Sequence, residues 1–62
     1  MKKVVFTFPD STSMANFIIR EKIRGAQVRS YDKILVAPMS DKQIVSAETL
    51  YGAFLKEMIP KN

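Results

Sequence analysis

The sequence predicts an α+β domain built as a β-α-β-β-α two-layer sandwich, a three-stranded sheet with two helices on one face. Three patterns point there: a short alternating apolar run near the start, a capped amphipathic stretch after Pro9, and a helical period from Ser40 onward. With 47% hydrophobic and 26% charged residues the chain is globular in composition, which excludes a disordered segment. Its 62 residues hold one domain, 1–62, with 60–62 as a C-terminal tail.

Residues 3–8 form the first strand, with Val4, Phe6 and Phe8 on one face and Lys3, Val5 and Thr7 on the other. Pro9 stops it, and Asp10, Ser11 and Ser13 offer N-cap oxygens to a helix. That helix is expected over Ser11–Arg24, ending at Gly25 as its C′ residue. Ser13, Asn16, Arg20 and Arg24 form its polar stripe opposite Met14, Ala15, Phe17, Ile18 and Ile19. Residues 26–38 read as a hairpin, Gln27–Tyr31 paired to Lys33–Ala37 through a turn near Asp32. The second of these strands is apolar on both faces, so it belongs in the middle of the sheet, and the first belongs at an edge.

For the last segment, Ser40 and Gln43 have capping-box spacing and Asp41 suits the positive end of a helix dipole. Ile44, Ala47, Leu50, Tyr51, Phe54, Leu55 and Met58 share one half of a helical wheel, and Pro60 closes the pattern. One long helix accounts for all seven positions. A rival reading has a short strand at Gln43–Val45 and a helix after Ser46. Gly52, on the flank of the stripe, is expected to permit close approach of a neighbouring backbone. Val4, Phe6, Phe8, Val28, Ile34 and Val36 then form the inner sheet face under both helices.

This order of elements over residues 3–59 resembles a ferredoxin-like domain lacking its last strand. The resemblance rests on element order alone, and that architecture hosts many functions, so it transfers no functional residue.

The chain has no Cys and no His, which removes a disulfide framework, a thiol nucleophile, a Cys/His zinc site and histidine acid–base chemistry. Its six carboxylates are scattered without metal-ligand spacing, and nothing pairs a nucleophile with a base. The expectation is a non-enzymatic protein with neither cofactor nor metal. Pro9-Asp10-Ser11-Thr12-Ser13 superficially resembles an anion cradle, but it lacks Gly and Lys and carries Asp10, so helix capping explains it. No apolar run approaches the ~18 residues of a bilayer span. The start imitates a signal peptide too briefly, and the reading favours a cytoplasmic protein.

Alternation places Lys3, Val5, Thr7, Gln27, Arg29, Tyr31, Lys33, Leu35 and Ala37 on the sheet face away from the helices. Val5, Tyr31 and Leu35 are the candidate interaction surface, and a homodimer or another protein partner is the expectation, because so small a domain buries little surface by itself. A second function class comes from charge. Residues 20–33 supply +3 of the net +4, which suggests a nucleic-acid-binding accessory protein using Lys3, Arg20, Arg24, Arg29 and Lys33. Asn16, Arg20 and Arg24 on the first helix are read first as an ordinary solvated face, with a phosphate or carboxylate contact as the functional alternative. A third class, a small-ligand sensor with a pocket between helices and sheet, lacks convergent polar residues.

Overall fold

The computed structural model describes residues 2–59. β1 (Lys2–Thr7) leads into α1 (Ser11–Arg20), β2 (Gln27–Arg29), β3 (Ile34–Met39), α2 (Asp41–Leu50) and β4 (Phe54–Ile59). The strands form one sheet in the order β2-β3-β1-β4, each antiparallel to its neighbours. β1 and β2 both oppose β3 and so run parallel to each other, as β3 and β4 do about β1. The α+β class stands. The expected three-stranded sheet is corrected to four strands, and the element order resembles a complete ferredoxin-like domain rather than one lacking its last strand. The proposed tail 60–62 and the role of Pro60 lie outside the described residues.

The fourth strand comes from residues that the helical wheel had claimed. α2 opens with the anticipated capping box: Gln43 N–H donates to Ser40 Oγ at 3.2 Å, and Ser40 N–H donates to Gln43 Oε1 at 2.9 Å. It ends at Leu50, because Gly52 adopts φ +66° and turns the chain, with Ala53 N–H donating back to the Ala47 carbonyl. Gly52 is therefore a helix stop, not a close-approach site. An added Cβ there would meet Pro9 Cγ at an ordinary 3.7 Å. The rival strand at Gln43–Val45 is also absent, since those residues are helical.

α1 is shorter than expected as well. Asp10 is the N-cap, its Oδ1 accepting from Ser13 N–H at 2.7 Å. The helix stops at Arg20, not Arg24. Lys22 N–H donates to the Ile19 carbonyl at 3.4 Å and Ile23 N–H to the Ile18 carbonyl at 3.0 Å. These paired bonds make a Schellman cap, with Lys22 at φ +52° in the place glycine usually takes. Ile23 buries itself in the core beside which Ile18 packs, the apolar contact that accompanies this cap. Gln43 Nε2 then donates to the Glu21 carbonyl at 3.0 Å, joining the end of α1 to the start of α2.

Both helices lie on one sheet face, as their buried residues share one core with the strands. Met14, Phe17, Ile44 and Ala47 pack there with Val4, Phe6, Phe8, Leu35, Ala37 and Met39. Phe6, Phe8, Phe17 and Tyr51 form a run of ring contacts with centroids 6.2, 5.5 and 5.2 Å apart, each pair worth ~0.5–1.5 kcal/mol beyond its buried area. Among the described residues, no polar or charged side chain is buried.

The phase of β3 differs from expectation. Register sets Leu35 opposite Phe6 and Ala37 opposite Val4, so Leu35 and Ala37 face the helices. Ile34 and Val36, expected inside, lie on the open face and are half-buried. Val28 does face inward, opposite Leu35, but sits on a three-residue edge strand and stays exposed. Pro38 is tolerated within a central strand for a geometric reason. Phe8 N–H bonds the Lys33 carbonyl, so by alternation the odd residues of β3 bond β1 and the even ones face β2. β2 pairs only as far as Val36, and the ring of Pro38 sits beside Gly25, past the end of the ladder.

Candidate interaction surface

The register arranges the uncovered face in three rows across the sheet. Arg29, Ile34, Thr7 and Phe54 make the first, Gln27, Val36, Val5 and Glu57 the second, and Pro38, Lys3 and Ile59 the third. The middle of this face is apolar: Val5 and Val36 lie side by side on the two central strands, with Ile34 one row away. Lys3, Gln27, Arg29 and Glu57 surround them. Phe54 stands 73% exposed at the corner of the face, and Ile59 lies on the same strand.

β4 is an edge strand, and all six of its residues are exposed. Its register passes from Phe6 opposite Leu55 to Val5 opposite Glu57, so Lys56 is an extra residue and makes a bulge. Leu55 and Met58 lie on the helix side, opposite Phe6 and Val4, yet each is 39% exposed, because the helix layer stops short of this edge. Phe54 and Ile59 lie on the open side. The edge thus bears apolar side chains on both faces and an unpaired backbone along its length.

The sequence-nominated residues distribute unevenly. Val5 is on the open face, half-buried against Val36. Tyr31 is 81% exposed, but in the turn between β2 and β3 rather than on a strand. Leu35 is fully buried under the helices, which corrects its assignment to the interaction surface. Lys3 and Arg29 are on the open face. Four residues of strand rise and two strand spacings separate them, roughly 13 Å by 10 Å. Arg29 Nε lies 3.7 Å from Asp32 Oδ2 across the hairpin turn, and Lys33 occupies that turn at φ +57°. Arg20 belongs to the last turn of α1, in the helix layer on the other side of the sheet. Arg24 is in the loop after α1, so the expected helical stripe Asn16, Arg20, Arg24 is broken. The five basic residues are not gathered on one surface.

Ile34, Val36, Phe54 and Ile59 were not among the nominated residues. A strict period-2 reading of 54–59 separates the last two, because they are five residues apart, and only the bulge at Lys56 brings them to one face.

Two other features are accounted for locally. The carboxyl of Asp10 is held below the usual carboxylate range by the backbone N–H and the hydroxyl of Ser13. The N-terminus of α1 therefore already holds an anion of its own. A surface depression of about 270 Å³ is lined by Lys2, Met39, Ser40 and Asp41, with Lys2 Nζ 3.4 Å from Asp41 Oδ1. It lies at the end of the sheet, whereas the space between helices and sheet is filled by the apolar core. Among the described residues, no group of three or more acidic side chains is placed to hold a metal ion, and no helix is long and apolar enough to cross a membrane.

Comparison of the chain with protein-family models, curated proteins and solved structures finds no match.

Proposed function

We propose that this chain is a small, non-enzymatic protein-interaction module that self-associates through its open sheet face or the adjoining edge of β4. One observation carries this reading: Val5, Val36 and Ile34 form an apolar centre on an uncovered sheet face, and Phe54 and Ile59 stand on the same face at an edge strand that has no second neighbour among the described residues. Continuous apolar surface rimmed by polar groups marks association sites, and an unpaired strand edge is a template for another chain. Lys3, Arg29, Gln27 and Glu57 supply the polar rim. The cytoplasm is the proposed compartment; a chain without Cys needs no oxidising one.

The alternative, a nucleic-acid accessory role for Lys3, Arg20, Arg24, Arg29 and Lys33, has less support. Its cations fall on both sides of the sheet, Arg29 stands beside Asp32, and Glu57 interrupts the open face. Sedimentation equilibrium of the full 62-residue chain, carried into the high micromolar range, tests the first reading. A concentration-dependent dimer is expected, and a strict monomer overturns it. In parallel, a labelled oligonucleotide at low ionic strength should show no shift. A shift that weakens steeply with salt would favour the alternative.

A further inference from the structure

The self-association proposed above has a specific geometry, and we infer that β4 pairs antiparallel with β4 of a second copy about a two-fold axis between Lys56 and Glu57. The inference rests on that proposal and specifies its partner strand and register.

Backbone parity comes first. Because Phe8 N–H bonds the Lys33 carbonyl, the even residues of β1 face β3, and Lys3, Val5 and Thr7 face β4. Their partners Ile59, Glu57 and Phe54 therefore direct their backbone groups inward. Leu55 and Met58 direct theirs to the free edge. An added strand would bond to these two residues.

Among the registers centred in the middle of β4, which pair the most of its residues, charge and side-chain face then choose. An axis between Lys56 and Glu57 sets Lys56 opposite Glu57 of the second copy, twice by symmetry. It also sets Phe54 opposite Ile59 of the second copy, and Leu55 opposite its Met58. An axis through Lys56 would instead oppose two lysines, and one through Glu57 would oppose two glutamates; like charges directly opposite are destabilising. Face matching rejects the same two registers. They pair Phe54 with Met58, or Leu55 with Ile59, which project to opposite sides of the sheet.

In an unbroken strand the favoured register would fail too, since residues of opposite parity cannot share a face. The extra residue at Lys56 repairs it. With the bulge, Leu55 and Met58 are both on the helix side, and Phe54 and Ile59 both on the open side. Two four-stranded sheets become one continuous sheet, and the four exposed apolar side chains of β4 gain cover. The other edge competes poorly, because β2 has only three residues.

Hydrogen exchange on the unaltered chain reads the backbone. With rising concentration, the amides of Leu55 and Met58 should gain protection, whereas those of Phe54, Glu57 and Ile59 are protected already by β1. Charge reversal reads the register. K56E and E57K should each dimerise about tenfold more weakly than the native chain, since two favourable cross-strand pairs become repulsive. An equimolar mixture of the two variants should form the heterodimer with native affinity. If the native chain dimerises while Leu55 and Met58 gain no protection and the single variants are unimpaired, the β4 register is wrong and self-association survives. A native chain that stays monomeric overturns both.

Discussion

The phase of β3 is the feature on which the core depends, and paired truncations test it. Leu35 is wholly buried opposite Phe6, whereas its neighbour Ile34 is half-buried on the open face opposite Thr7. Leu35→Ala removes a fully enclosed side chain from a core with nothing polar to relax into the space. Such truncations cost ~2–5 kcal/mol. At ~0.05–0.15 kcal/mol per residue a chain of this length holds only about 3–9 kcal/mol in total. Leu35→Ala should therefore remove from about a fifth of the stability to all of it. Ile34→Ala forfeits roughly half of a side-chain burial worth ~1.5–3 kcal/mol, or about 1 kcal/mol. Urea unfolding followed by circular dichroism in dilute solution separates the two. With a slope of ~1 kcal/mol/M for so small a domain, the midpoint should fall by at least ~2 M for Leu35→Ala and by ~1 M for Ile34→Ala. A larger loss at Ile34 than at Leu35 would mean that the strand is turned over and the core is wrongly composed.

Two further predictions concern helix ends. Gly52→Ala should lower stability by about 1 kcal/mol in thermal unfolding, from the φ of +66° rather than from crowding, and Lys22→Gly should raise it by ~0.5–1 kcal/mol by relieving a left-handed residue; equal and negligible changes would contradict both caps. Asp10 supplies a pH dependence. Its folded pKa is depressed by Ser13, so the stabilisation is full above the unfolded value of ~3.9 and is lost as pH falls through the folded one. The stability gap between the native chain and Asp10→Asn, measured by urea unfolding at neutral pH, should shrink in acid; a gap independent of pH would exclude this linkage.

Local chemistry made several elements legible. Pro9 and Asp10 mark the passage from β1 to α1, Ser40 and Gln43 mark the start of α2, and the two-sided apolarity of residues 34–37 marks a central strand. The candidate surface was only half legible. Alternation put Val5, Lys3 and Arg29 on the open face correctly, because β1 and β2 each have one clearly polar side. Leu35 went to the wrong side for the opposite reason, since β3 is apolar on both. Phe54 and Ile59 were hidden by the bulge: with Lys56 inserted, the inward residues Leu55 and Met58 stand three apart, which imitates a helical period.

The amino-acid sequence by itself determined where most elements begin, because caps, prolines and turn residues act on their immediate neighbours. It also determined the α+β class and the predominance of basic charge. Only the tertiary structure decided which side of β3 is buried, that residues 54–59 extend beside β1 instead of continuing α2, and that the cations part to opposite sides of the sheet. Each of those outcomes depends on a strand distant in sequence. Phe6 selects Leu35 and Val4 selects Met58 by sharing a face across the ladder, and no periodicity within one segment encodes such a partner.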